Sequence, residues 1–183
     1  MLRYILAASL LSLALPFAAQ ADDFDYTYVE GAYTSIQPAH QGSSLTGPTA
    51  DGSYAVTDSL HAFAGYQHVN CCDLSRNSFD AGAGWNTKLA PNVDLFIDGE
   101  FLSVNSSGNG TDSGWGASGG LRAWLAERFE LDGFVSHTDI SGNTENILGV
   151  RALWSFDAHW RVFASVANDS DANTFMLGAR YVF

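Results

Sequence analysis

The chain has 183 residues, with 8 Lys and Arg against 20 Asp and Glu, and a formal net charge of −12. That balance excludes a nucleic-acid binder, which needs a basic patch to neutralise phosphates. Charged residues are only 15% of the chain, yet no apolar run after the N-terminus reaches roughly 18 residues, which excludes helical membrane spans.

The N-terminus reads as a secretory leader. Arg3 supplies a positive start, Ile5–Leu15 is an apolar run of 11 residues, Pro16 breaks it, and Ala19-Gln20-Ala21 fits a small-residue cleavage site. The expected division is a signal peptide over 1–21 and one domain over 22–183. No cysteine follows the cleavage site, so a lipoprotein anchor is not expected.

Ten strands follow in order, at 25–35, 47–56, 59–69, 76–87, 92–104, 112–124, 127–138, 145–156, 159–168 and 173–183. They come from a repeat of about 33 residues: a glycine-bearing strand, a short turn, then a second strand. Its copies are Asp80–Trp85 with Val93–Ile97, Gly116–Arg122 with Phe129–Gly133, and Leu148–Trp154 with Trp160–Ala164. Gly52–Val56 with Leu60–Ala64 is a weaker copy, and Leu177–Phe183 is a last half-copy. An even count of 10–12-residue strands fits a closed antiparallel up-and-down transmembrane β-barrel, all-β, with eight strands as the alternative. Pro48 makes the second strand the least regular.

Within each strand the two faces differ, with the period-2 alternation of a strand between two environments. One phase is apolar, as in Val93, Leu95, Ile97, Phe101 and in Trp160, Val162, Ala164, Val166. Trp85, Trp154, Trp160, Tyr181 and Phe183 fall near one set of strand ends, and Phe79, Phe101, Trp115 and Phe175 near the other, as girdles at a membrane–water boundary would. The opposite phase collects Glu30, Asp80, Asp94, Asp98, Glu100, Glu130 and Asp132 with Arg122, Arg151, Arg161 and Arg180. An arginine facing lipid at the midplane costs about 2–4 kcal/mol, so this phase is the lumen of a barrel. Arginine–carboxylate pairs across it are expected, and they either fill and order the barrel or line a solute path.

The last segment alternates Phe175, Leu177, Ala179, Tyr181, Phe183 against Gly178 and Arg180. The spacing Gly178, Tyr181, Phe183 resembles the C-terminal signature of Gram-negative outer-membrane barrels. That resemblance implies an assembly signal read by the barrel-assembly machinery after periplasmic chaperones deliver the chain. With the openings Tyr28–Tyr33 and Leu60–Tyr66, the mature chain resembles the small outer-membrane superfamily of OmpA transmembrane domains and OmpX/Ail-like proteins, including small barrels of xanthomonad-type bacteria. The resemblance implies a cell outer-membrane location among lipid and lipopolysaccharide. It also implies that Phe183 lies at the periplasmic end, leaving the polar turns outside. No peptidoglycan-binding domain is expected after Phe183, so a wall-tethering role is doubtful.

Other motifs carry less. Gly114-Trp-Gly116-Ala-Ser-Gly119 matches a dinucleotide loop but lies inside a repeat strand, so packing explains it better. Ser136-His137-Thr138-Asp139 invites comparison with barrel lipid hydrolases; an interfacial histidine is the simpler reading. Asp169–Asn173 begins like a calcium loop without its glycine and glutamate, hence a polar turn. Cys71 and Cys72 are candidates for a strained vicinal disulfide, with an intermolecular bridge as the alternative. No cofactor, metal site or catalytic residue is expected. The function expected is structural or surface interaction, with a narrow porin-like channel as the alternative.

Overall fold

The structure is a computed structural model describing residues 24–39, 42–72, 74–108 and 110–183. The expected leader over 1–21 lies outside the described residues. Ten strands form: β1 (Tyr28–Pro38), β2 (Leu45–Ala55), β3 (Leu60–Cys71), β4 (Leu74–Ala90), β5 (Val93–Ser106), β6 (Gly110–Ala126), β7 (Phe129–Ile140), β8 (Asn143–Ser155), β9 (Trp160–Asn168) and β10 (Ala172–Val182). Each pairs antiparallel with its sequence neighbours, and β1 pairs with β10, so the sheet closes and no backbone edge is left open. The count is ten, not eight. Both ends of the described chain lie at one end of the barrel, called here the terminal end; the other is the distal end.

Local chemistry sets the turns. Ser141 and Gly142 both have positive φ, 53° and 84°, the requirement of a two-residue turn matched to strand twist. Asp157 Oδ1 accepts from the backbone N–H of His159 and of Trp160, each at 2.8 Å. Asp169 Oδ1 accepts from Asp171 and Ala172 at 2.6 and 2.7 Å, so its carboxylate serves the polar turn rather than a cation. Two strands bulge near the terminal end, between Lys88 and Ala90 and between Trp124 and Ala126, at matching points of the repeat. The β2–β3 ladder skips Gly47 and Pro48, because proline has no N–H to give.

Two expectations need correction. Asn105–Thr111 reads as a loop, but β5 and β6 run through most of it. Ser, Thr and Asn there pair across strands, with Asn105 Nδ2 on Thr111 Oγ1 at 2.7 Å and Ser75 Oγ on Ser107 Oγ at 2.7 Å. Polar composition signalled a loop where the wall continues beyond the apolar belt. The first strand starts at Tyr28 rather than at 25. Thr27 holds the rim, its Oγ1 taking the Ala55 N–H at 3.0 Å, and residues 24–26 turn inward.

Leu177 is 69% exposed, Leu148 63%, Val135 59% and Ile97 53%, on four different strands. Such an apolar outer wall is unstable in water and suits lipid. Trp85, Trp115, Trp154, Trp160, Phe79, Phe101, Phe175 and Phe183 are all exposed on that wall. The ring of Tyr181 meets Trp160 at 5.0 Å and Phe183 at 5.2 Å, edge to face in both cases.

Candidate functional site in the barrel lumen

The inner face gathers all eleven charged residues of the inward phase. Seven of them form two clusters of ion pairs. Glu30 on β1 takes Arg180 of β10 across the closing seam, and Arg151 of β8 at 3.1 Å. Glu130 on β7 takes Arg122 of β6 at 2.6 Å and Arg161 of β9 at 3.0 Å. Asp132 lies 3.9 Å from Arg122. Glu130 is fully buried, Arg180 2% exposed and Arg161 4%, so each charge depends on its partner rather than on water.

Each of these four guanidiniums also lies over an aromatic ring. Arg180 sits 3.9 Å from the Tyr28 centroid, Arg151 4.7 Å from Phe163, Arg122 4.7 Å from Tyr26 and Arg161 5.0 Å from Trp124. Arginine suits this double contact because its planar cation stacks while its edge binds carboxylates.

The sequence reading missed the segment that finishes the network. Asp25 reaches Arg161 Nη2 at 2.7 Å, and its carbonyl accepts from Arg122 Nη1 at 3.2 Å. On either side, Phe24 and Tyr26 are each 8% exposed. Phe24 stacks on Trp124 at 6.0 Å, and Tyr26 stacks on His61 at 4.7 Å. The alternation Phe24, Tyr26, Tyr28 could have signalled a continuous inward face; what hid it was the lack of any marker that the wall starts only at Tyr28. The terminal mouth is thereby filled by the chain's own N-terminal segment.

The other four charges lie outside these clamps. Asp94 takes the Tyr26 hydroxyl at 3.5 Å, and Asp98 lies 3.1 Å from His61 Nε2. Asp80 and Glu100 line a wider cavity of about 470 Å³, with Asp51, another residue the sequence reading passed over. An inner cavity of about 220 Å³ shares Tyr28, His61, Asp98, Phe134 and Arg151 with it. Among the described residues, no group of three or more His, Cys, Asp or Glu side chains converges to hold a metal.

His137 stands on the outer wall, its Nδ1 2.9 Å from Asn146 Oδ1 and its ring 5.6 Å from that of Trp115. The glycines of the Gly114–Gly119 motif lie within β6, without the helix a dinucleotide loop requires. Cys71 and Cys72 are free thiols with their Sγ atoms 2.9 Å apart at the distal end.

A closed antiparallel sheet, apolar outside and charged within, defines a transmembrane β-barrel of the outer-membrane type. Solved structures share the fold. The KdgM porin in complex with disordered oligogalacturonate is 10% identical, with a TM-score of 0.54 over 85% of this chain and 99% of that one. The KdgM porin alone is 11% identical, with a TM-score of 0.53 over 84% and 99%. The translocator domain of autotransporter NalP from Neisseria meningitidis is 11% identical, with a TM-score of 0.51 over 90% and 91%. No protein-family model matches the sequence, and no curated protein matches it.

Proposed function

We propose that this is a non-enzymatic protein of the Gram-negative outer membrane, closed to solutes, with a structural or surface-interaction role in adhesion, host contact or envelope integrity. One observation carries the closure: the Phe24–Tyr26 segment packed on Trp124 and tied through Asp25 to Arg161, with Glu130 clamped behind it. A solute path would have to break buried ion pairs, at about 3–5 kcal/mol for each one lost. Planar-bilayer recording tests this. The intact protein should give no resolved conductance steps, whereas a chain lacking Phe24–Tyr26 should give them. Steps in the intact protein that Arg151→Ala abolishes would overturn the closed reading.

A narrow porin-like channel is the second reading, favoured by the two cavities that share lining residues. Its charge is opposite to that of a path for an acidic sugar, since Asp51, Asp80 and Glu100 dominate the wider cavity. A lipid hydrolase finds less support, because His137 is engaged by Asn146 and Trp115. Loss of lipid hydrolysis in His137→Ala is the result that would revive it.

Membership of the OmpA/OmpX/Ail-like superfamily is our finer placement, supported by the terminal signature and the up-and-down closure. The leader over 1–21 is removed on export in this reading, and outer-membrane lipid and lipopolysaccharide are its surroundings. Gly178, Tyr181 and Phe183 then act as the signal for the barrel-assembly machinery, which pairs with β10 while its edge is open. Chaperones hold the chain in the periplasm beforehand. Removing Phe183 should slow assembly while leaving the folded barrel's unfolding unchanged.

A further inference from the structure

The wider cavity has a chemical bias that filling a lumen does not require. Asp51 and Asp80 both lean over Gly65, where a Cβ would lie 2.5 Å from one carboxylate and 2.6 Å from the other. Glu100 leans in the same way over Gly116, at 2.6 Å. These glycines make room for three carboxylates that form no ion pair or hydrogen bond among the described residues. A second feature points the same way. Ser53 and His61 line this cavity, are 8% and 6% exposed, and leave Oγ and Nδ1 without a hydrogen-bond partner. Among the charged groups of the lining, carboxylates outnumber the two guanidiniums: Arg151 is committed to Glu30, and Arg76 keeps an Nε without a hydrogen-bond partner.

From this geometry we propose that the cavity is a binding site for a small linear oligoamine. Half-buried carboxylates that face one another without a counter-ion repel, and a cation that enters relieves the cost. A metal ion is a poor fit, because it needs oxygens converging on one point. Here Asp51 and Asp80 meet over Gly65 on β3, while Glu100 leans over Gly116 on β6, three strands away along an arc of about 14 Å at ~4.8 Å per strand. Ammonium groups separated by methylenes match such an arc. Phe63, Phe134, Leu102 and Ile147 in the same lining cover the methylenes.

Calorimetric titration of spermidine into the refolded full chain in a zwitterionic detergent tests the site. Saturable binding is expected, weakened about tenfold or more in Asp51→Asn/Asp80→Asn and reduced in Glu100→Gln. Glu127→Gln, in the exposed β6–β7 turn, should leave it unchanged. Heat-modifiable gel mobility verifies that each variant is folded, and the single Glu100→Gln change keeps the test open if the double variant fails to fold. No saturable binding, equal loss in Glu127→Gln, or equally tight binding of Mg²⁺ alone would overturn the proposal.

Discussion

Phe163 on β9 stands directly opposite Gly178 on β10, and a Cβ on Gly178 would lie 2.7 Å from Phe163 Cζ. The inward ring therefore lies over a bare Cα. The same pairing recurs at Phe63 with Gly82, Phe96 with Gly120, and Phe134 with Gly149. This is the physical content of the sequence repeat: one strand supplies the ring and its neighbour the space for it. Gly178 thus has a packing duty besides its place in the terminal signature.

The two duties of Gly178 separate by measurement. Phe163→Ala should lower stability by about 3–5 kcal/mol through a cavity in the lumen. Gly178→Val should cost about 1–3 kcal/mol by overpacking against the Gly31 carbonyl and Phe163. Urea unfolding in lipid vesicles reads both. Unchanged stability in Gly178→Val with slowed assembly would assign the glycine to recognition alone.

Glu130 is fully buried, and two arginines depend on it. Glu130→Ala should cost about 3–5 kcal/mol, since it leaves Arg122 and Arg161 buried with reduced pairing. Replacing Arg161 as well should cost less than the sum of the single changes, because the second substitution removes a cation already stranded. Strict additivity in vesicle unfolding would mean that the two residues are not coupled.

Asp157 gives a pH dependence. The N–H groups of Trp160 and His159 hold its carboxyl below the usual carboxylate range. A depressed carboxyl stabilises fully above its unfolded value, and the contribution disappears as pH falls through the folded value. The intact protein should therefore exceed Asp157→Ala in stability at neutral pH, with the gap closing on acidification. A gap independent of pH would count against the turn carboxylate as its source.

The cysteine pair offers a surface readout. A hydrogen bond from Cys71 holds the Cys72 thiol below its usual value, and Cys72 is exposed with a left-handed φ of 58°. Iodoacetamide at neutral pH should label Cys72 before Cys71 in reduced protein. Peptide mass mapping of protein isolated without reductant tests the vicinal disulfide expected from the sequence, and a mixed disulfide with another chain is the opposing result.

The alternation of apolar and charged positions determined the faces of the strands and pointed to an up-and-down barrel, while the choice of ten strands over eight came with the closed sheet. Strand periodicity is local, and a one-residue slip would bury Val150 and present Arg151 to lipid, so the pattern excludes odd slips of register. The four arginines and their carboxylates were legible as one set for the same reason. Which arginine meets which carboxylate was not: Glu30 and Arg180 are 150 residues apart and meet only because β1 closes on β10. Nor could local pattern reveal that Phe24–Tyr26 leaves the wall to fill the mouth, since Trp124 and Arg161, which receive it, lie on distant strands. Asp51, Asp80 and Glu100 likewise share one cavity only through the curvature of the closed sheet. Period-2 patterning fixes each strand's faces, while barrel closure decides which side chains meet inside.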